Sequence, residues 1–347
     1  MKKSMFATAA LAAMALHATG ASAQSSVTLF GVLDLGAAQI KNGSAGSQKS
    51  LTQGAVSTSR FGVRGIEDLG GGLKAGFHLE SQVNPDTGSA TSLFWNRRST
   101  VSLMGGWGEL RLGRDYNPSS RNTYLFEPWV GTSVGTILNF TLSPTATLGS
   151  GATTALRTNN AVAYFTPSGL GGFYGEAMVA PSEGAPGNKY MSVRVGYATG
   201  PLNISYAFGN TETATANDFK QSNLGVSYDF GGIKALGLYN VHKYGALEQK
   251  TMSIGLSARV GVGEVRAQYA SNGMSGGAAG SGFGNADDSK GLSLGYVHNL
   301  SKRTALYGIF GRITNDGAAR QAVGGSTSGM LGGETSTGYQ LGMRHAF

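Results

Sequence analysis

From Ser26 onward the chain alternates apolar with small polar residues at a period of two, segment after segment, to its last residue. Met252, Ile254, Leu256, Ala258 and Val260 share one side of a segment, and Ser253, Gly255, Ser257 and Arg259 the other. Leu224, Val226, Tyr228 and Phe230 oppose Asn223, Gly225, Ser227 and Asp229 in the same way, as Leu73, Ala75, Phe77 and Leu79 oppose Lys74, Gly76, His78 and Glu80. Successive side chains of a strand point to opposite faces, so each segment is a strand with one dry and one wet stripe. Seven short turns punctuate the pattern at Asp68–Gly72, Gly105–Gly108, Ser168–Gly172, Thr199–Pro201, Phe230–Gly232, Gly261–Gly263 and Asn299–Lys302. Between them lie eight longer polar stretches, at 41–54, 83–93, 116–156, 181–188, 210–219, 243–249, 271–288 and 315–336. These connections predict sixteen strands, with both chain ends on the short-turn side.

A soluble sandwich would also alternate, but it would hide its apolar stripe and carry its charges outside. Here the charges sit on the small-residue stripe, which suits a wet interior and a lipid-facing exterior. A closed barrel is the sheet that leaves no unpaired edge in hydrocarbon, and short turns opposite long loops are the transmembrane-barrel pattern. Composition agrees: 56 of 347 residues are Gly and 13% are charged, against usual values of about 7% and about 25%. The absence of Cys excludes a disulfide scaffold and a thiol nucleophile. The fold class expected is therefore an all-β, sixteen-stranded antiparallel transmembrane barrel, wide enough to leave an aqueous channel.

Residues 1–23 read as a cleaved export signal, with Lys2 and Lys3 before an apolar run from Met5 to Leu16 and a small-residue site at Ala21-Ser22-Ala23. The barrel then occupies 24–347. No later stretch approaches the ~20 apolar residues of a helical span. The full chain carries +8, and loss of the two signal lysines leaves +6.

Several stretches together resemble the Gram-negative general porins of the beta-proteobacterial type. They are Ser26–Asp34, Ser59–Gly65, Glu67–Ala75, Leu112–Tyr116, Arg157–Tyr164 and the C-terminal Gly342–Phe347. The resemblance spans the mature chain in order. It implies an outer-membrane homotrimer of barrels, each a water-filled channel for passive diffusion of small hydrophilic solutes and ions, with short periplasmic turns and long extracellular loops. It also implies that the third loop, Asn117 to Leu156, folds inward and narrows the pore, with Glu127 as its acidic member. Arg60, Arg97 and Arg157 match positions of a basic cluster facing that loop. The motif favours Arg97 as the inward residue, whereas parity from Val101 and Leu103 favours its neighbour Arg98. The terminal aromatic Phe347 corresponds to the signal read by the outer-membrane assembly machinery, and part of the +6 balance is expected to meet outer-membrane lipids and lipopolysaccharide.

Parity alone adds Arg64, Arg111, Arg194, Arg259 and Arg266 to the inner wall. An always-charged guanidinium lining in a low-dielectric wall favours anions, so mild anion selectivity is the expected property. Trp107, Trp129, Tyr190 and Tyr296 are candidates for the interfacial aromatic girdles, although Trp129 also falls in the inward loop. None of His78, His242, His298 and His345 lies in a catalytic or metal-ligand spacing, and no strand–glycine-loop–helix unit suggests a phosphate cradle. Neither an enzyme nor a cofactor or metal centre is expected, and the export signal argues against nucleic acid. The rival readings are a substrate-specific outer-membrane channel and, in a different class, a non-channel adhesin.

Overall fold

The computed structural model describes residues 26–91, 93–129, 133–141, 148–183 and 189–347. The expected export signal lies outside the described residues. Sixteen strands form the wall: β1 Ser26–Asn42, β2 in two pieces, Ser47–Gln53 and Arg60–Gly70, β3 Leu73–Asn84, β4 Arg98–Gly105, β5 Gly108–Tyr116, β6 Arg157–Phe165, β7 Phe173–Ala180 and β8 Lys189–Thr199. The second half comprises β9 Leu202–Glu212, β10 Asp218–Asp229, β11 Ile233–Tyr244, β12 Leu247–Val260, β13 Gly263–Ser275, β14 Ser289–Asn299, β15 Thr304–Asn315 and β16 Ser336–Ala346. Each strand pairs antiparallel with its sequence neighbours, and β1 pairs with β16 from Val32↔Ala346 to Asn42↔Ser336, closing the barrel. Closure satisfies every ladder without an open edge, as a wall in hydrocarbon requires.

The two faces are distributed as the alternation predicts. Ile254, Leu256, Leu294 and Leu341 are exposed on the outer surface, while Ser253, Gln268, Ser293 and Gln340 are buried inside it. The closing seam uses one glycine on the outer face. Phe347 and Gly31 exchange two backbone hydrogen bonds of 3.0 Å, and the Phe347 ring lies where a Cβ on Gly31 would stand, 2.2 Å from its Cζ.

Strands extend further toward the loop side than the polar stretches implied. Most of 41–54 is a hairpin, with β1 and the first piece of β2 paired from Leu35↔Gln53 to Lys41↔Ser47 around a short 3-10 turn at Gly43–Ala45. Ser47, Gln48, Lys49 and Ser50 carry no apolar stripe because beyond the lipid the ladder needs none. β2 is also broken where alternation gave no warning. Residues 54–59 turn inward, and Val56 and Ser57 donate backbone N–H bonds of 2.8 and 2.7 Å to the Asp34 carboxylate, which also accepts from the Tyr307 hydroxyl at 2.7 Å.

Candidate functional site

The third loop leaves β5 as a helix, α1, at Pro118–Leu125. Asn117 caps it by accepting the Ser120 N–H at 2.7 Å, and Pro118 opens the first turn, where its missing N–H costs nothing. The helix lies inside the barrel against β7 to β10. Asn122 donates to Asn223 at 2.7 Å and accepts from the Ser205 hydroxyl at 2.6 Å, while Thr123 donates to Asn240 at 3.2 Å. These wall partners are the polar inward residues of the alternating strands. Their placement turns a wet stripe into a socket.

Beyond α1 the loop crosses the inner wall from β10 to β16 on a track of glycines. A Cβ on Gly225 would stand 1.9 Å from Phe126, on Gly255 2.8 Å from Pro128, on Gly295 2.8 Å from Trp129, on Gly311 2.2 Å from Val134, and on Gly291 2.7 Å from Phe140. The strand glycines are thus the space that the loop occupies. Phe126, Trp129, Val134, Ile137 and Phe140 join the inward Leu238, Val297, Tyr307, Ile309 and Ile313 in one buried apolar cluster. Polar bonds fix the register: the Trp129 indole donates to Ser293 at 2.8 Å, Arg266 donates to the Pro128 carbonyl at 3.0 Å, and Gln249 donates to the Phe140 carbonyl at 2.9 Å. A second helical turn, α2 at Leu138–Thr141, belongs to this docked segment.

The loop therefore covers the β7–β16 side of the lumen, and the basic residues gather on the remaining wall. Glu80 of β3 receives Arg97 in a short ion pair and lies 3.9 Å from Arg60. Tyr116 joins the group through its hydroxyl, which accepts from Arg97 at 3.2 Å and from Arg157. The Arg157 guanidinium also stacks 4.0 Å from the Tyr116 ring centroid and donates to the Arg97 carbonyl at 3.0 Å. Among the described residues no carboxylate lies within ion-pair distance of Arg157. Arg60, Arg97 and Arg157 are thus brought together around one carboxylate, an excess of positive charge.

A second group is closer to balance. Asp115 takes Arg111 at 2.6 Å, Arg121 at 3.2 Å and Arg98 at 3.7 Å; Glu176 takes Arg121 at 3.0 Å and Arg194 at 3.3 Å; Glu109 takes Arg111 at 2.8 Å. Arg97 and Arg98 both face the interior, because Arg97 precedes the first ladder residue of β4 and is free of strand parity. Arg266 pairs with Glu264 at 2.6 Å while holding the loop, Arg64 lies over the Phe30 ring at 5.2 Å, and Arg259 is exposed at the short-turn end of β12.

Glu127 is turned away from the arginines. It is 4% exposed, and its carboxylate accepts the Thr136 hydroxyl and the Ile137 N–H at 2.8 Å, so it closes the loop's own turn. Burial pushes its carboxyl up to about 8. The carboxylates that do meet the arginines, Glu80, Glu109, Asp115, Glu176 and Glu264, were not among the expected site residues. Only the shared face of His78 and Glu80 and the motif ending in Asp115-Tyr116 pointed toward them. Arg121, which ties α1 to two strands, carried no signal. Tyr190 and Trp129 are buried inside the barrel and are no part of a girdle, whereas Trp107 is exposed and stacks with Tyr164 beside a short turn.

The family model for the Gram-negative porin matches residues 7–318. The chain belongs to the Gram-negative porin family. Outer membrane porin protein 32 of Delftia acidovorans is 41% identical over 369 aligned residues, covering 100% of both chains. An outer membrane porin protein of Bordetella pertussis is 28% identical, again over 100% of both. Among solved structures, the anion-selective porin from Comamonas acidovorans superposes with a TM-score of 0.84 at 39% identity, covering 93% of this chain and 100% of that one. A trimer form of OmpT from Vibrio cholerae shares the fold alone, with a TM-score of 0.67 at 16% identity over 93% of this chain and 99% of that one. The protein is thus an outer-membrane porin, a non-enzymatic β-barrel channel.

Proposed function

We propose that this porin is a homotrimer whose channels pass small hydrophilic solutes with a preference for anions. The selective waist in this reading lies between the docked third loop and the wall bearing Arg60, Arg97 and Arg157. The observation that carries it is the charge excess there: Arg60 and Arg97 share Glu80, and among the described residues Arg157 beside them has no carboxylate within ion-pair distance. Guanidinium groups remain charged at every working pH, and the low-dielectric wall focuses their field into the water column. An anion crossing this point exchanges part of its hydration for fixed N–H donors, whereas a cation meets net repulsion. The opposing loop edge keeps the passage narrow enough for that field to act on every ion. The likeness to the Comamonas anion-selective porin at 39% identity supports the same reading.

The test is a planar bilayer with a KCl gradient. A unit charge about 5 Å from a passing ion, screened at physiological salt, is worth roughly 0.5 kcal/mol. Because it acts with opposite sign on the two ions, Arg157→Gln is expected to lower the anion-to-cation permeability ratio about fivefold. Current should appear in three equal steps per insertion. A wild-type reversal potential on the cation side, or an unchanged potential in Arg157→Gln, would refute the assigned waist.

A further inference from the structure

A second polar row runs alongside the basic group of the waist. The Gln82 N–H donates to the Asn96 side chain at 2.8 Å, and Arg114 donates to the Asn96 carbonyl at 2.7 Å and to the Asn159 side chain. Each member stands one or two residues from a member of the basic group. Gln82 is two from Glu80, Asn96 adjoins Arg97, Arg114 is two from Tyr116, and Asn159 is two from Arg157. The row thus ties together the four chain segments that bring the guanidiniums into one place. Arg114 has the strand parity of Leu110 and Leu112, which are exposed on the lipid-facing side, and not that of Arg111 and Asp115, which pair inside. Its planar guanidinium holds both acceptors in a fixed fork, which an ammonium on a flexible stem cannot reproduce.

The row meets an irregularity of the wall. β5 and β6 pair in register from Glu109↔Phe165 to Gly113↔Ala161, then resume at Asp115↔Thr158 and Tyr116↔Arg157. Arg114 therefore spans two residues of β6, Asn159 and Asn160, which is a β-bulge. Asn160 has φ of +54°, and among the described residues it is the one non-glycine position inside a wall strand in the left-handed region. Asparagine tolerates that conformation better than most side chains, and β-branched residues resist it. The facing Gly113 leaves the room: its φ is +121°, and a Cβ there would stand 2.1 Å from the Ser99 carbonyl oxygen. A bulge bends its strand and re-aims the side chains beside it. Tyr116 has the parity of the lipid-facing Leu112, yet its hydroxyl meets Arg97 and Arg157, and the bend accounts for that turn.

We propose that Arg114 and Asn160 are positioning residues of the selective waist. Asn160 bends the end of β6, and Arg114 fixes the bent end to the segment that carries Arg97, so that Arg157 keeps its place on Tyr116. Neither residue belongs to the basic group itself, and the proposal rests on the waist assigned above.

The experiment measures reversal potential in a KCl gradient with the full refolded protein in a planar bilayer. Arg114→Lys keeps the charge and loses the fork; Asn160→Val opposes the bulge, and Asn160→Gly permits it. Arg114→Lys and Asn160→Val should each lower the anion-to-cation permeability ratio about two- to threefold, short of the roughly fivefold of Arg157→Gln because the displaced Arg157 keeps its charge. Asn160→Gly should retain the wild-type ratio. In the Arg157→Gln background Arg114→Lys should add little, since its effect passes through Arg157. If Asn160→Val forms no channels, Arg114→Lys alone and in that background carries the test. A wild-type ratio in Arg114→Lys or Asn160→Val, an equal loss in Asn160→Gly, or a full additional shift in the Arg157→Gln background would overturn the proposal and leave the waist standing. A wild-type ratio in Arg157→Gln alone would overturn the waist, and the proposal with it.

Discussion

Gly225→Ala tests whether the third loop is held inside by the missing side chains of the wall. Phe126 is 1% exposed, and an added Cβ at Gly225 would stand 1.9, 2.4 and 2.5 Å from three atoms of its ring. Ordinary carbon contacts are about 3.5–4.0 Å, so the ring must retreat by roughly 1.6–2 Å. The strand has no room to yield, because β10 is paired along its length with β9 and β11. The loop must yield instead, at about 1–3 kcal/mol for overpacking, or roughly 5- to 150-fold in the ratio of docked to undocked loop. Single-channel recordings should show a larger mean conductance with more current noise than wild type, and heat stability should fall. Phe126→Leu in the same chain should return both toward wild type, giving a coupling energy in the double-mutant cycle. Unchanged conductance and unchanged heat stability in Gly225→Ala would refute the glycine-track account.

Three further outcomes follow from the same contacts. Tyr116→Phe keeps the ring stacked on Arg157 but removes the hydroxyl that accepts from Arg97 and Arg157; the reversal potential should move toward zero while mean conductance changes little. Glu127 binds its proton more tightly in the folded loop than in the unfolded chain, so docking is favoured at low pH and loses that stabilisation as pH rises through about 8. Current noise should therefore increase between pH 7 and 9 in wild type and stay flat in Glu127→Gln. Gly31→Val drives two methyl groups into the space of the Phe347 ring, and heat-resistant barrel yield should drop by more than half in a refolding assay; full yield would show that the seam tolerates the side chain.

How much of this was legible depends on what the residues touch. Strand parity was readable wherever one face meets lipid and the other water, as along Met252–Val260, since each face then demands its own residue class. It failed beyond the lipid, where Ser47–Gln53 pairs without an apolar stripe, and at residues 54–59, whose inward turn is held by Asp34 and Tyr307 from distant strands. The basic wall was readable in two ways: strand parity marked Arg64, Arg111, Arg194 and Arg266, and the family motifs marked Arg60, Arg97 and Arg157, of which Arg97 stands just before its strand and so carries no parity. Its carboxylates were harder to see. Glu80 meets Arg97 only through lateral pairing of β3 with β4, and Arg121 meets Glu176 across 55 residues of chain. Glu127 attracted notice as the acid of an inward loop, but a carboxylate followed by an apolar cluster is drawn into that cluster when a nearby N–H can satisfy it.

The high glycine content can now be assigned to separate physical tasks, and the division explains why composition alone pointed to a barrel but not to its contents. Some glycines sit in the short turns, such as Gly71 with φ of +61°, where a left-handed backbone favours glycine. Gly31 lies on the outer face and is covered by an aromatic ring, which shields a ladder that would otherwise face lipid bare. Gly225, Gly255, Gly291, Gly295 and Gly311 lie on the inner face, and what covers them is the third loop. In a single strand this last group cannot be told from ordinary small residues of a wet wall. Their distinguishing property is collective: on four strands from β10 to β15 these five glycines mark one continuous path across the interior, beginning opposite the arginine wall. The path sets where the loop can lie, the loop sets which side of the lumen stays open, and the open side is the one bearing Arg60, Arg97 and Arg157. In the proposed reading, selectivity in this barrel therefore depends on residues with no side chain as directly as on those with a charge.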